Sequence, residues 1–230
     1  MSTTRKQPAA KFVAANIDRL RAADYPALVA AGREAGYDSR AGFSAYKRAL
    51  KNAGIDYDGA QRAHRDGRAE QHAADFADAD EVRLVTDAAA SHSRYAVTTA
   101  DGTPVWFGRF FDDDEGAEQS AAELAAAQKA VWVTGKLAKR NGRPTRLILT
   151  VDAEWLTWAN ESAGGVESKR GGKAKQLARA ARKAGIDLRV EWTSGKTNVA
   201  DRYTRTTGYL KWQDGVDALE SALTPAPAAA

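Results

Sequence analysis

Apolar positions in the first fifty residues recur at helical spacing. In Lys11–Ala23 they put Phe12, Ile17 and Leu20 on one side. Asp24, ahead of Pro26, reads as the cap of a second helix that ends at Gly36. Asp38 or Ser39 can cap a third, which runs through Asn52 with Phe43, Tyr46 and Leu50 in register. Ala35-Gly36-Tyr37-Asp38, Ala53-Gly54-Ile55-Asp56 and Ala184-Gly185-Ile186-Asp187 share one punctuation, a helix stop with glycine just past the end. Residues 57–80 are polar, Ala-rich and increasingly acidic, and read as a partly helical linker.

From Glu81 the texture changes. "EVRLVTDA", "SRYAVTTA" and "TPVWFGRFF" run apolar or alternate like strands, the last two joined through the hairpin dipeptide Asp101-Gly102. A long helix is predicted over about 117–141, stopped by Gly142-Arg143-Pro144. "TRLILTVD" is an almost continuous apolar run, as in a buried central strand. A short helix "AEWLTWAN", a loop "ESAGGVESKRGG", a basic helix over 173–184, a strand "IDLRVEWT" and a helix over 198–207 follow. The order β-β-β-α-β-α-α-β-α predicts an α/β protein with a mixed five-stranded sheet and helices on its faces. Trp155, Trp158 and Trp192 read as core. An amphipathic stretch over 209–223 leads into the tail 224–230, which, like residues 1–10, is expected to be disordered. The predicted organisation is thus a disordered start (1–10), a helical module (11–56), a linker (57–80), an α/β domain (81–207) and a C-terminal helix with its tail (208–230).

The chain has 230 residues and no cysteine, which excludes disulfides, thiolate zinc sites and thiol catalysis. No apolar run approaches membrane-spanning length and no secretory h-region follows the start, so a cytoplasmic setting without membrane attachment is expected. The net charge of +4 is unevenly spread: +5 over residues 1–66, −8 over 67–118 and +7 over 119–230. An acidic middle between basic ends suits a cation-binding centre flanked by phosphate-contacting surfaces, and equally a solvated surface with an acidic linker.

Four acids fall where strands end or helices begin: Asp87, Glu123, Asp152 and Asp201. Each alone is equally an N-cap or a solvated turn residue. Gathered by a sheet, clustered carboxylates raise one another's pKa unless a cation neutralises them, and two divalent cations on shared carboxylates are a standard means of cleaving phosphodiesters. Asp112–Glu115 read as solvated, and Glu118 competes with Glu123 for the place at the helix start. Adjacent Ser91 and His92 diverge, which disfavours a serine hydrolase, and no Gly-rich phosphate loop is present.

The segments "VTDAAAS", "SAAELAAAQKAV", "LTVDAEWLTWAN" and "VEWTSGKTNVADRYTR" resemble, in this order, the four motif regions of the ribonuclease H family, the last most of all in its retroelement form. The resemblance covers about residues 81–207. It implies a ribonuclease H-like fold in which Asp87, Glu123, Asp152 and Asp201 fall on the catalytic, metal-binding acids. It further implies two Mg²⁺ or Mn²⁺ ions and endonucleolytic hydrolysis of the RNA strand of RNA–DNA hybrids. Alternatives are a nuclease of this fold acting on DNA or branched junctions, or a nucleic-acid-binding protein without catalysis. Lys196 stands where the family has a His, and Ala88-Ala89 where Gly-Ser is common, which bears on turnover and hybrid specificity. The basic stretch with Lys169, Arg170, Lys173, Lys175 and Arg179 resembles in position the family's duplex-gripping protrusion, and phosphate contacts of this kind supply sequence-independent affinity. Lys196, and Lys47, Arg48 and Lys51 on the third helix, are further candidate nucleic-acid contacts.

Overall fold

Helix caps and glycine stops set the boundaries of the N-terminal part much as the sequence places them. The computed structural model describes residues 7–111, 113–160 and 168–223. The chain divides into two compact units, Met1–Ala74 and Asp75–Ala230. In the first, α1 (Ala9–Ala15) and α2 (Ile17–Arg21) replace the single helix expected over 11–23, with the break at Asn16. α3 (Tyr25–Glu34) is capped by Asp24, whose carboxylate accepts from the Ala27 N–H at 2.9 Å. α4 (Arg40–Asn52) is capped by Ser39 rather than Asp38. Gly36, Gly54 and Gly185 all adopt positive φ (71–79°), the left-handed stop that their shared tetrapeptide predicts.

Val13, Leu20, Leu28, Tyr46 and Leu50 form a separate small core, with Tyr37 stacked on Tyr46. Of the segment expected to be disordered, residues 1–6 lie outside the described residues. The rest is held: Ala9 opens α1, and the Gln7 carbonyl accepts from the Tyr37 hydroxyl at 2.7 Å. Most of the predicted linker is α5 (Tyr57–Asp75), exposed from Arg65 onward.

The second unit is built on strands β1 (Asp80–Ala89), β2 (Arg94–Thr99), β3 (Pro104–Arg109), β4 (Thr145–Val151) and β5 (Asp187–Trp192), in the sheet order β3-β2-β1-β4-β5. β1 to β3 form an antiparallel meander. After one turn of helix, α6 (Asp113–Gly116), the 23-residue α7 (Gln119–Asn141) returns the chain so that β4 lies parallel to β1, and β5 parallel to β4. The result is the mixed α/β arrangement, with flanking helices, expected of a ribonuclease H-like fold.

A 3-10 segment (Glu154–Asn160), α8 (Lys169–Ala184), the single turn α9 (Asp201–Thr204) and α10 (Trp212–Leu223) complete the described unit. The helix expected over 198–207 is therefore a four-residue turn preceded by the 3-10 turn Gly195–Thr197. The main core joins Leu84, Leu147, Leu149, Val133 and Leu137 to Leu177 of α8 and Val216 and Leu219 of α10. Trp155 is buried there and Trp158 packs against it, as expected. Trp192 departs from expectation: it ends an edge strand and is exposed. No helix among the described residues is long and apolar enough to cross a membrane. Residues 161–167 of the predicted loop and the tail 224–230 lie outside the described residues.

Candidate metal centre

Where parallel strands end, the chain must turn, and polar side chains collect beside buried ones. Asp87 lies on β1 opposite Ala96, past the apolar run that fixes the strand's place in the sheet. Asp152 follows Val151, the last residue of β4. Glu123 is in the second turn of α7, where the helix passes the same end of the sheet. One carboxylate oxygen from each of these three acids lies within 4.8 Å of the others. Asp87 and Glu123 are buried and Asp152 is half-buried.

The fourth predicted acid stands apart. Asp201 opens α9 half-exposed, and its Oδ1 accepts from Arg205 at 3.0 Å. Its charge still reaches the cluster, since it raises the pKa of both Asp87 and Asp152.

Three acids this close, two of them buried and one half-buried, resist ionisation. Burial, then the charges of Asp152 and Asp87, push Glu123 up to about 8 against the hydrogen bond from Gln119. Burial, then the Asp152 charge, pushes Asp87 up to about 6, opposed by the hydrogen bond from Thr204. Asp152 is raised as well, chiefly by burial, against its own backbone N–H.

Neighbouring side chains orient the acids. The Gln119 amide donates to Glu123 Oε1 and, at 2.6 Å, to the Ala88 carbonyl, while its own oxygen accepts from the Ala90 N–H. The Thr204 hydroxyl lies 3.1 Å from Asp87 Oδ2. Asn198 ties the closing segment to β1 by donating to the Thr86 carbonyl at 3.0 Å. Gly195 lets the following turn pass close to the acids, because a Cβ there would lie 3.2 Å from Asp152 Oδ2. Gln119 and Thr204 escaped the sequence reading. Their only signal was spacing, one helical turn before Glu123 and one after Asp201. Asn198 lies within the quoted closing motif.

The residues fit a hard divalent cation. The donors are all carboxylate oxygens, the chemistry such ions prefer. Asp152 Oδ1 is buried with no hydrogen-bond partner, an orphaned acceptor of the kind that needs an explanation. Glu118 is not part of the cluster: it is exposed and bound to Ser120 and Lys173. Of the acids at 112–115, Glu115 pairs with Lys129 at 3.1 Å.

The predicted nucleic-acid contacts divide into two sets. Lys169, Arg170, Arg179 and Lys196 are exposed and Lys175 is half-exposed. Lys173 is instead turned to Ser120 and Glu118, where it fastens the start of α8 to the start of α7. In the helical unit Arg48 and Lys51 are exposed. Lys47 pairs with Asp58 at 2.8 Å and lies over the Tyr57 ring.

Sheet order and acid cluster together define an α/β protein of ribonuclease H-like arrangement with a candidate acidic metal centre. No protein-family model matches the chain, and no curated protein matches it. Among solved structures the chain is similar to the N-terminal ribonuclease H domain of a Mycobacterium tuberculosis protein, solved as a fusion with maltose-binding protein. The identity is 16% and the TM-score 0.33, over 62% of this chain and 99% of that one. A likeness so distant carries no weight beside the chain's own topology and side chains.

Proposed function

We propose that this chain is a divalent-cation-dependent endonuclease that hydrolyses the RNA strand of RNA–DNA hybrids, working at Asp87, Glu123, Asp152 and Asp201. The observation that supports it best is the convergence of three acids from three separate elements, with one oxygen of each within 4.8 Å of the others. Such a trio opposes folding unless something neutralises it, and two Mg²⁺ or Mn²⁺ ions would do so. Asp87 would be shared between them, Glu123 and Asp152 completing one site and Asp201 the other. When bound, such ions acidify water and stabilise the leaving 3′ oxygen.

The chain's own residues supply position. Gln119 keeps Glu123 turned towards Ala88 at the end of β1, and Thr204 fixes one oxygen of Asp87. Arg205 holds Asp201 until a cation competes for it. Lys169, Arg170, Lys175, Arg179 and Lys196 would contact phosphates, with Arg48 and Lys51 of the helical unit as additional contacts. Lys173 and Lys47, already engaged, would contribute less. The preference for hybrid substrate rests on the sequence motifs.

The test is digestion of hybrid, double-stranded DNA, single-stranded DNA, double-stranded RNA and a branched junction, each with and without Mg²⁺. The expected result is Mg²⁺-dependent endonucleolytic products from the RNA strand of the hybrid. Cleavage confined to DNA or to the junction would reassign the substrate. Binding without cleavage of any of them would end the enzyme reading.

A further inference from the structure

We infer that Trp192 is a stacking platform that seats a base of the bound strand beside Asp152. The inference rests on the nuclease reading above and adds a residue to it. Trp192 ends β5, an edge strand, and is 55% exposed. Its partner across the ladder is Val151, the residue before Asp152. Strand alternation puts it on the same face as Val190, which is buried in the main core. The indole therefore continues the core face beyond the point where the core ends.

One bond fixes its attitude: the indole N–H donates to the Asp152 carbonyl at 3.1 Å. The polar edge of the ring is thus anchored at the acid cluster while much of its surface is left to water. The other exposed tryptophan differs, for Trp132 packs on Trp106 and Trp212 and carries Lys136 over its ring. Among the described residues Trp192 has no ring or cation of that kind against it.

The next turn, Gly195–Thr197, passes against Asp152 and carries the exposed Lys196. An anchored aromatic surface with a cation close along the chain is the pairing that holds a nucleic-acid strand without reading its sequence: every base has a face to stack, and every link has a phosphate.

The test is equilibrium binding of fluorescein-labelled hybrid and single strands, measured by anisotropy in EDTA with Asp87→Asn as the parent so that nothing is cut. Trp192→Ala should weaken binding roughly ten- to a hundredfold. Trp192→Phe, which keeps an aromatic face and loses the N–H, should restore most of it. The dependence on salt should keep its slope, because no phosphate contact is removed. Trp192→Leu replaces the alanine variant if circular dichroism shows that one unfolded.

Equal losses in the Phe and Ala variants, accompanied by weaker Mg²⁺ binding in calorimetry on the Asp87 protein, would make the indole a mere support for Asp152 and overturn the inference. Unchanged affinity in every variant would overturn it too, while cleavage by the unmodified protein kept the nuclease reading intact. Absence of both binding and cleavage in the unmodified protein would remove both.

Discussion

The two ends of α7 treat charge in opposite ways. Near its start, Glu123 is buried beside two other acids, and its hydrogen bond from Gln119 does not offset their repulsion. Near its end, Arg140 is exposed and bonded to both Asp217 and Glu220 of α10, and Arg143 just beyond pairs with Asp80. The helix dipole favours Arg140 in the last turn and falls off before Glu123 in the second, so it does not account for the buried acid. Solvation and pairing set the two ends apart. Exposed pairs such as those of Arg140 contribute little and fade with salt, whereas a buried acid beside two others carries a cost that a proton or a cation would relieve.

The sharpest way to break the contrast is at the acid end. Asp87→Asn should lower Mg²⁺-dependent cleavage of the hybrid by roughly 10²- to 10³-fold or more while the far-ultraviolet circular dichroism stays the same. Undiminished cleavage would remove Asp87 from the chemistry.

Stability should follow the same acids. In EDTA the folded state of Glu123 keeps its proton up to about pH 8, and that of Asp87 up to about 6, whereas the unfolded chain releases both near their ordinary values of 4.5 and 3.8. Between those limits the folded state binds more protons, so stability falls as pH rises. The midpoint of thermal unfolding in EDTA should therefore be higher near pH 5 than near pH 8. Mg²⁺ should raise it most at the alkaline end. A flat profile would mean that the cluster is better solvated than its burial implies.

A smaller effect follows for Glu123→Gln. In EDTA at pH 8 this variant should unfold at a higher temperature than the unmodified protein and gain less from Mg²⁺, as calorimetry can check. At the other end of the helix, Arg140→Ala should lower the unfolding midpoint only slightly, and 1 M NaCl should erase the difference.

The acid end of this contrast was legible in the sequence; the pairing of Arg140 with α10 was not. The run "TRLILTVD" read as an inner strand because Leu147, Ile148, Leu149 and Val151 make it almost continuously apolar, and it lies between β1 and β5. Four acids at element boundaries pointed to a cluster, and three of them, Asp87, Glu123 and Asp152, come together. What stayed hidden depended on side-chain reach and on edges. Asp201 lies in the closing segment, yet its carboxylate accepts from Arg205, one helical turn on, and is not among the three that meet. Lys173 read as one more phosphate-contacting base of the basic helix, whereas the packing of α8 against α7 turns it to Ser120 and Glu118. Trp192 looked like core because its strand is apolar in pattern, and the pattern does not say that this strand is an edge. The helix expected over 198–207 shrank to one turn because Asn198 spends its side chain on the β1 backbone and on the Ala200 N–H.

The two margins of the sheet are finished differently. Leu210 forms a single antiparallel bridge to Phe107, donating its N–H to the Phe107 carbonyl at 2.9 Å, and α10 then lies over β3. The last described stretch of chain thus acts as a selvedge for that margin, besides lending Val216 and Leu219 to the core. A version ending at Thr207 would bare the β3 backbone to any passing strand, and its characteristic failure would be self-association into insoluble material, ahead of any loss of chemistry.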